Sequence, residues 1–381
     1  MPNYDYIIIG AGASGLLLAN AIGRDDFFSE KSILLIDRDE KKTNDRTWCF
    51  WEAGDGDFET ILYKTWPKVF FAGKALRKSY EITPYQYKMV QGIDFYNHYL
   101  SELSRFSNIT LVHEEVVSIK ENDKNAIIIT SSATYTSKQV FNSIFNYKDL
   151  KPQQKYPVLQ QHFLGWFLKT EKPIFKVDEA TFMDFSIQQK GNTRFMYVLP
   201  FSKNEALVEY TLFSKNLLPK KEYETAIEDY LSDKNAGIYN IIETEQGSIP
   251  MTCYNFNQHN SEHVFHIGTA GGWAKASTGY TFMKTNKNVK ALLTHLKKGK
   301  KAISFSTKNR FWYYDLLLLD ILSKNNHLGQ SIFESLFKKR RPHLIFKFLD
   351  EETSVLEDTK LMMAPKPWPF IKALFFRIVK K

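Results

Sequence analysis

One stretch limits the fold more than any other: Asp5-Tyr-Ile-Ile-Ile9 runs directly into Gly10-Ala11-Gly12-Ala13-Ser14-Gly15 and a helical Leu16-Leu-Leu-Ala-Asn20. A second apolar run, Ile33 to Ile36, ends in Asp37, 22 residues after Gly15. A glycine motif alone is weak evidence, but strand, GxGxxG, helix and terminal acid in this order predict a dinucleotide site. Gly10 permits the turn out of the strand, and Gly12 lets backbone approach a pyrophosphate. Gly15 lets helix and sheet pack closely. Ala11, Ala13 and Ser14 complete a loop whose amides face the ligand at a helix N-terminus, and Asp37 is expected to accept from a ribose hydroxyl.

The rest of the chain has the character of a globular protein of two to three domains: 381 residues, 43% hydrophobic and 24% charged. Two cysteines far apart, Cys49 and Cys253, suggest neither a disulfide framework nor a zinc site. The nine histidines are scattered, with no HExxH or paired CxxC, so no metal is expected. A strand beginning at residue 4 leaves no room for a targeting segment, and no apolar run has the length of a membrane span. A cytoplasmic protein is expected. The net charge of +9 concentrates in Lys338-Lys339-Arg340-Arg341 and in the basic, aromatic stretch from Lys366 to Lys381. That pattern suits an anionic membrane surface, and equally a solvated face over a buried stripe. Nucleic acid is not an expected partner, since no recognised module accompanies the charge.

Three parts are expected. Residues 1–150 and 255–300 would form a discontinuous Rossmann-like domain. Residues 151–254 would be an inserted, mainly antiparallel sheet with one helix over Lys220 to Asp233, and 301–381 a helical end. Strands are predicted at 4–9, 32–36, 109–112, 116–120, 126–131 and 139–145, then at 165–169, 181–185, 194–199 and 206–212. The segment 151–155 looks like a linker. A late strand-into-glycine turn, Val264 to Gly272, is expected to lead into a helix over 277–296. In a flavin enzyme such a turn brings backbone donors to the ribityl chain and ring. No second GxGxxG supplies a separate NAD(P)H domain.

For acid–base chemistry, three carboxylate sites stand out: Glu209 in Ala206-Leu-Val-Glu209-Tyr-Thr211, Asp184 in Phe182-Met-Asp184-Phe185, and the pair Glu243 and Glu245 before Gly247. By alternation Glu209 shares a face with Leu207 and Thr211. An acid on an apolar sheet face is costly unless paired or protonated, and burial raises its pKa, as a general acid for a hydrocarbon substrate requires. A solvent-facing acid or a salt bridge to lysine fits the same pattern.

The set of motifs resembles the flavin-dependent lycopene cyclases, of the bacterial and plant β-cyclase type, nearly end to end. Beyond the glycine loop it includes Asp45-Arg46-Thr47-Trp48-Cys49-Phe50-Trp51, Phe182-Met-Asp184-Phe185, Tyr197-Val-Leu-Pro200 and Leu207-Val-Glu209-Tyr-Thr211. Gly247-Ser-Ile-Pro250-Met251, Gly268-Thr-Ala-Gly271-Gly272, Thr278-Gly279-Tyr280 and the helical stretch from Phe311 follow. The resemblance implies that Glu209 is the acid/base carboxylate, with Asp184 in support. Gly10, Gly12, Gly15, Asp37 and Arg46 would serve the cofactor, with Gly268, Gly271, Gly272, Thr278 and Gly279 lining the flavin end.

The implied cofactor is FAD, active when reduced, with NAD(P)H as transient reductant. The implied reaction turns the ψ end groups of lycopene into β-ionone rings without net redox change, giving β-carotene via γ-carotene. Partners would be lycopene and related acyclic carotenoids, the membrane surface and other carotenoid enzymes, with the protein peripheral to the inner membrane. Trp48, Trp51, Phe182, Phe185 and Trp273 are candidates to line a cation-stabilising pocket, each also explained by core packing. Two departures are Tyr210, where the family often has a second acid, and Lys275-Ala276, where many members have His-Pro. On the same scaffold a flavin hydroxylase, halogenase or polyprenyl reductase, or a non-catalytic prenyl-binding protein, remains an alternative.

Overall fold

The computed structural model describes residues 1–150 and 153–379; Lys151, Pro152, Lys380 and Lys381 of the expected linker and basic end lie outside them. Seven strands form the first sheet, in the order β8 (Ile109–His113), β2 (Ile33–Asp37), β1 (Asn3–Ile9), β11 (Thr134–Asn142), β10 (Ala126–Thr130) and β9 (Val116–Glu121), with β17 (Val264–His266) also on β11. The pairs β8·β2, β2·β1, β1·β11 and β11·β17 are parallel, and β10 and β9 continue antiparallel. Parallel strands buried on both faces need continuous apolar runs. Ile7 to Ile9 and Ile33 to Ile36 supply them, each 0–1% exposed. Helices α1 (Ala13–Gly23), α2 (Gly92–Leu103) and α4 (Phe282–Lys297) cover the face of Ile8, Ile33 and Leu35. The opposite face meets Ala126, Ile128 and Tyr135.

The second sheet runs β16 (Tyr239–Thr252), β12 (Val158–Thr170), β15 (Glu205–Ser214), β14 (Thr193–Pro200), β13 (Glu179–Asp184), β5 (Lys68–Ala72) and β6 (Arg77–Glu81). Its core is the expected antiparallel sheet, and helix α3 (Lys220–Asp233) has the expected bounds. The sheet is wider than residues 151–254, however, because β5 joins β13 in parallel and brings β6 with it. A linear division at residue 150 therefore does not separate the two sheets. A small sheet, β3 (Thr47–Ala53), β7 (Tyr85–Gln91) and β4 (Lys64–Trp66), bridges them. Helix α3 packs on the face of Val208, Tyr210 and Leu212. The face of Leu207 and Phe213 meets the small sheet and the helices α5 (Arg310–Lys324), α6 (Gly329–Lys339), α7 (Pro342–Leu349) and α8 (Val355–Met362). The last helix, α9 (Pro367–Val379), lies against α5.

One helix boundary differs from expectation. The glycine turn forms a single 3-10 turn over Gly268–Gly271, and α4 begins only at Phe282. Lys275 O accepts from the amides of Thr278 and Gly279, and Gly279 has φ +72°, so Ser277 to Thr281 forms a turn instead of the helix's first residues. That left-handed position favours glycine.

Candidate active site

At the C-terminal ends of the parallel strands, three glycine-dependent approaches shape the first part of the site. Gly10 takes φ +94°, and its amide donates to Ile36 O at 2.7 Å. A Cβ on Gly15 would overlap the Gly10 carbonyl oxygen, so only glycine lets α1 pack this tightly. Gly12 is different. A Cβ there would meet nothing within 4 Å, and Gly12 caps α1 without a side-chain hydrogen bond. The helix thus presents unfilled amide donors to open space, the arrangement that suits a phosphate. Ser14 and Gly268 meet across this mouth, since a Cβ on Gly268 would run into the Ser14 side chain.

Asp37 faces the same loop. Its Oδ2 accepts from the Ala11 amide at 2.5 Å and lies 3.2 Å from Lys41 Nζ, so the acid closing β2 holds the glycine turn itself in place. Arg46 binds Asp45 through Nε and Nη2 at 3.0 and 2.7 Å, and Tyr96 donates to the same carboxylate at 2.9 Å. Gly271 and Gly272 complete the turn after β17, where a Cβ would overlap His266 O and crowd Phe256 at 2.6 Å respectively.

The turn over Lys275 to Thr281 reaches from this mouth to the second sheet. A Cβ on Gly279 would lie 2.7 Å from Gln161 Oε1 on β12 and 3.3 Å from Ile249 on β16. Beside it, Thr278 Oγ1 and Gln161 Oε1 are buried with no hydrogen-bond partner among the described residues. Buried orphaned polar groups are expensive. Together with the open space at Gly12, they fit an extended polar cofactor running from the α1 terminus to this turn. Lys275, where the family resemblance leads one to expect histidine, anchors the turn: it is 2% exposed, with Nζ 3.1 Å from Asp315 and 3.4 Å from Glu351. Ser277 Oγ donates to Asp315 at 2.7 Å.

Glu209 sits on the second sheet facing that turn. It is 7% exposed, on the apolar face with Leu207 as alternation predicts, and among the described residues it pairs with no lysine. A row of residues crosses the sheet at its level. Tyr197 on β14 pairs with Glu209, Glu209 pairs with Gly165 on β12, and Gly165 pairs with Glu245 on β16. Thr211 Oγ1 donates to Glu209, and Thr47 Oγ1 of β3 donates to Glu245 at 2.8 Å. The two carboxyl groups lie close enough for each to influence the other's ionisation. Burial first, then the neighbouring Glu245 charge, push the Glu209 carboxyl well above the ordinary range. Burial likewise raises Glu245, to about 7, while Thr47 opposes the rise.

Aromatic groups close the space above the row. The Tyr87 and Tyr197 hydroxyls lie 2.6 Å apart, with Tyr280 beside Tyr87. Trp51 packs edge-on to Tyr280 and Phe182 and stacks on Phe346, with centroids 4.8, 6.2 and 4.8 Å away. Cys49, Trp51 and Tyr280 also line an adjoining cavity of about 130 Å³ whose far wall carries Asp350. Trp51 Nε1 donates to Asp350 at 2.9 Å, and burial raises that carboxyl to about 7.

Not every expected residue reaches this place. Asp184 is fully buried but belongs to the opposite face of the sheet. It pairs with Met196 and accepts from Tyr230 of α3 at 2.9 Å and from Ser186, so it anchors α3 and does not join Glu209. A register shift in β13 between Thr181 and Asp184 turns Phe182 and Met183 to the site face while Asp184 points away. Of the five aromatic candidates, Trp51 and Phe182 line the site. Trp48 and Trp273 lie in the core of the first sheet, and Phe185 packs on Phe71 and Phe333. Glu245, Thr47, Tyr87, Tyr197 and Asp350 come from separate segments. Glu245 carried a signal as an acid close to the Gly247 motif, and Thr47 and Tyr197 stood inside motifs of the resemblance without a role; Tyr87 and Asp350 carried none. Among the described residues no group of three His, Cys, Asp or Glu could hold a metal, and no helix is long and apolar enough to cross a membrane.

The fold is the FAD-dependent oxidoreductase-like fold. The chain superimposes with a TM-score of 0.62 and 12% identity on a geranylgeranyl bacteriochlorophyll reductase-like protein of Thermoplasma acidophilum, covering 98% of each chain. It matches a flavoprotein/dehydrogenase from Cytophaga hutchinsonii at 0.63 and 11%, and the flavin-dependent brominase Bmp2 at 0.60 and 14%, with complete coverage of both chains in each case. Residues 5–374 match the family model described as lycopene cyclase protein, and the chain belongs to that family. Curated relatives include a lycopene beta-cyclase of Pantoea ananas, 22% identical over 66% of this chain, and a chromoplastic capsanthin/capsorubin synthase of Citrus sinensis, 25% identical over 74%. The matches span 63% and 58% of those two proteins' own lengths.

Proposed function

We propose that the protein is a lycopene β-cyclase that isomerises the acyclic ends of lycopene to β-ionone rings with FAD bound in its reduced form. The observation that carries this reading is Glu209: an acid buried on an apolar sheet face, its carboxyl pushed well above the ordinary range by burial, facing aromatic groups, in a chain of the lycopene cyclase family. A hydrocarbon substrate offers no lone pair, so the chain must supply a proton donor in a dry site. Glu209 would give its proton to the terminal double bond, the neighbouring double bond would close the ring on the resulting tertiary cation, and loss of a ring proton would end the reaction. Tyr87, Tyr280, Trp51 and Phe182 would exclude water and present electron-rich faces to the cation. When bound, reduced FAD would supply negative charge near that cation.

Gly10, Gly12 and the α1 amides would hold the pyrophosphate, and Thr278 with the Gly268–Gly272 turn the flavin end, with NAD(P)H as a transient reductant. Gly12→Val is expected to abolish retained FAD. The apoprotein should stay within about 0.5 kcal/mol of wild type, because the backbone there is extended and the added side chain enters open space. Flavin absorbance after purification and a thermal melt of the apoprotein check this. The reading itself is tested by anaerobic incubation of the FAD-loaded protein with lycopene in liposomes and limiting NADPH. Ring-closed product at unchanged mass, with no stoichiometric NADPH loss, supports it; hydride consumption or oxygen-dependent products would place the protein among the redox enzymes of this fold.

Such a substrate resides in a bilayer, and α9 provides a surface to meet it. Ala373 and Phe370 pack toward α5, and Arg377 pairs with Asp320 at 2.6 Å. The outer face leaves Trp368, Ile371, Phe375 and Ile378 between 51% and 70% exposed, with Lys372 beside them. Apolar anchors with a basic flank suit an anionic interface. In the other basic run, Lys339 and Arg340 instead bond the carbonyls of Ala364 and Lys360 at 2.6 Å. Replacing Trp368 and Phe375 by Ser is expected to weaken cosedimentation with anionic liposomes at least about tenfold, each buried side chain contributing about 1.5–3 kcal/mol. Unchanged partitioning would remove α9 from the membrane reading.

A further inference from the structure

We infer that Glu209 and Glu245 work as one carboxyl–carboxylate pair holding a single proton across Gly165, with Glu245 the positioning residue that keeps Glu209 charged with its proton. The inference rests on the proposed role of Glu209 as proton donor.

The geometry is specific. Glu209 and Glu245 lie on strands that are not neighbours, with β12 between them. Adjacent strands are about 4.8 Å apart, so side chains two strands away are normally separated by the residue between them. Here that residue is Gly165, in register with both acids. A Cβ at Gly165 would sit 3.3 and 3.4 Å from Glu209 Cβ and Cγ and 2.8 Å from Leu207 Cδ1. The missing side chain is the gap through which the carboxyl groups meet. Thr47 and Thr211 then donate to one acid each, from outside the pair.

Each acid accepts one threonine hydroxyl, so the difference between them comes from the Arg46 charge, which favours an ionised Glu245. The Thr47 hydroxyl favours the same ionised form, and a buried anion there makes ionisation of Glu209 costly. Two adjacent carboxyls in a dry site titrate as a unit. The remaining charged or titratable groups facing the pair are Glu243, which adds to the repulsion, Arg46, which relieves it, and the neutral Cys49, Tyr197 and Tyr280. In the proposed reaction the Glu209 O–H proton goes to a substrate carbon and leaves two carboxylates facing one carbocation. The proton later lost from the ring returns to the pair, so no proton is gained or lost overall. The doubled negative charge exists only while the cation does, which is where stabilisation accelerates the reaction.

The test uses the FAD-loaded protein and lycopene liposomes, with kcat and KM measured across pH. The wild type is expected to show a bell, with an acid limb from loss of the pair's first proton and an alkaline limb from loss of its second. In Glu245→Gln the acid limb should vanish and the alkaline limb move to lower pH, with kcat down about 10²-fold and KM unchanged. Should that variant fail to fold, Thr47→Val tests the same point, since losing the donor must move the acid limb to higher pH. Infrared titration without substrate gives an independent readout: a protonated carboxyl band persisting above neutral pH in the wild type should titrate lower in Glu245→Gln. A wild-type pH profile in these variants, with Glu209→Gln inactive, overturns the pair alone. An active Glu209→Gln overturns the donor role beneath it.

Discussion

Glu209→Gln is expected to stop ring closure, with cyclised product falling at least about 10³-fold, while the protein stays folded and retains flavin. The amide has no acidic proton to give to an alkene, and the other acid in the row formed by Tyr197, Glu209, Gly165 and Glu245 is Glu245, whose ionised form is favoured by Thr47 and Arg46. Stability should change by no more than about 1 kcal/mol, because the amide preserves the local bonds: its carbonyl still accepts from Thr211, and its NH2 faces Glu245. Pigment analysis of lycopene liposomes, flavin absorbance and a thermal melt on one preparation separate these effects. A variant that cyclises at wild-type rate would move attention to Asp350, the other raised carboxyl beside Trp51.

Lys275→Ala is expected to be the most destabilising single substitution near the site, costing about 3–5 kcal/mol. Its ammonium is buried against Asp315 and Glu351, and removing it leaves Asp315, which is 4% exposed, with Ser277 as its one side-chain donor among the described residues. Glu351 keeps Lys284 and Asn309. Because the same network fixes the turn carrying Thr278 and Gly279, flavin retention should fall with stability. Lys275→Met combined with Asp315→Asn should recover at least half of the loss, since no uncompensated charge then remains buried and Ser277 keeps an acceptor. Equilibrium urea unfolding reads both variants.

The network also sets a pH window. Burial alone would raise Glu351, yet Lys275 and Lys284 hold it at about 2, below its ordinary 4.5. A depressed carboxylate contributes stability above the unfolded value that is lost as pH falls through the folded one. The loss on acidification should therefore fall between about 4.5 and 2, and be smaller in Lys275→Ala.

What the sequence determined by itself is local. An apolar run, three glycines and a leucine-rich stretch specify strand, turn and helix within some twenty residues, because Gly10 takes a left-handed backbone and Gly15 packs on the Gly10 carbonyl inside that span, while Gly12 leaves open space. The bounds of α3 and the facing of Glu209 followed from the helical and two-residue periods, which are intrinsic to the chain. The tertiary structure decided what depended on pairing between distant segments. That β5 and β6 extend the second sheet, that Asp184 turns toward α3, and that Glu245 meets Glu209 over Gly165 all depend on strand register. A shift of one residue sends a side chain to the other face, and no local pattern records which distant strand will lie alongside. The identity of an acid was therefore readable from its neighbours in sequence, but its partner was readable only from its neighbours in space.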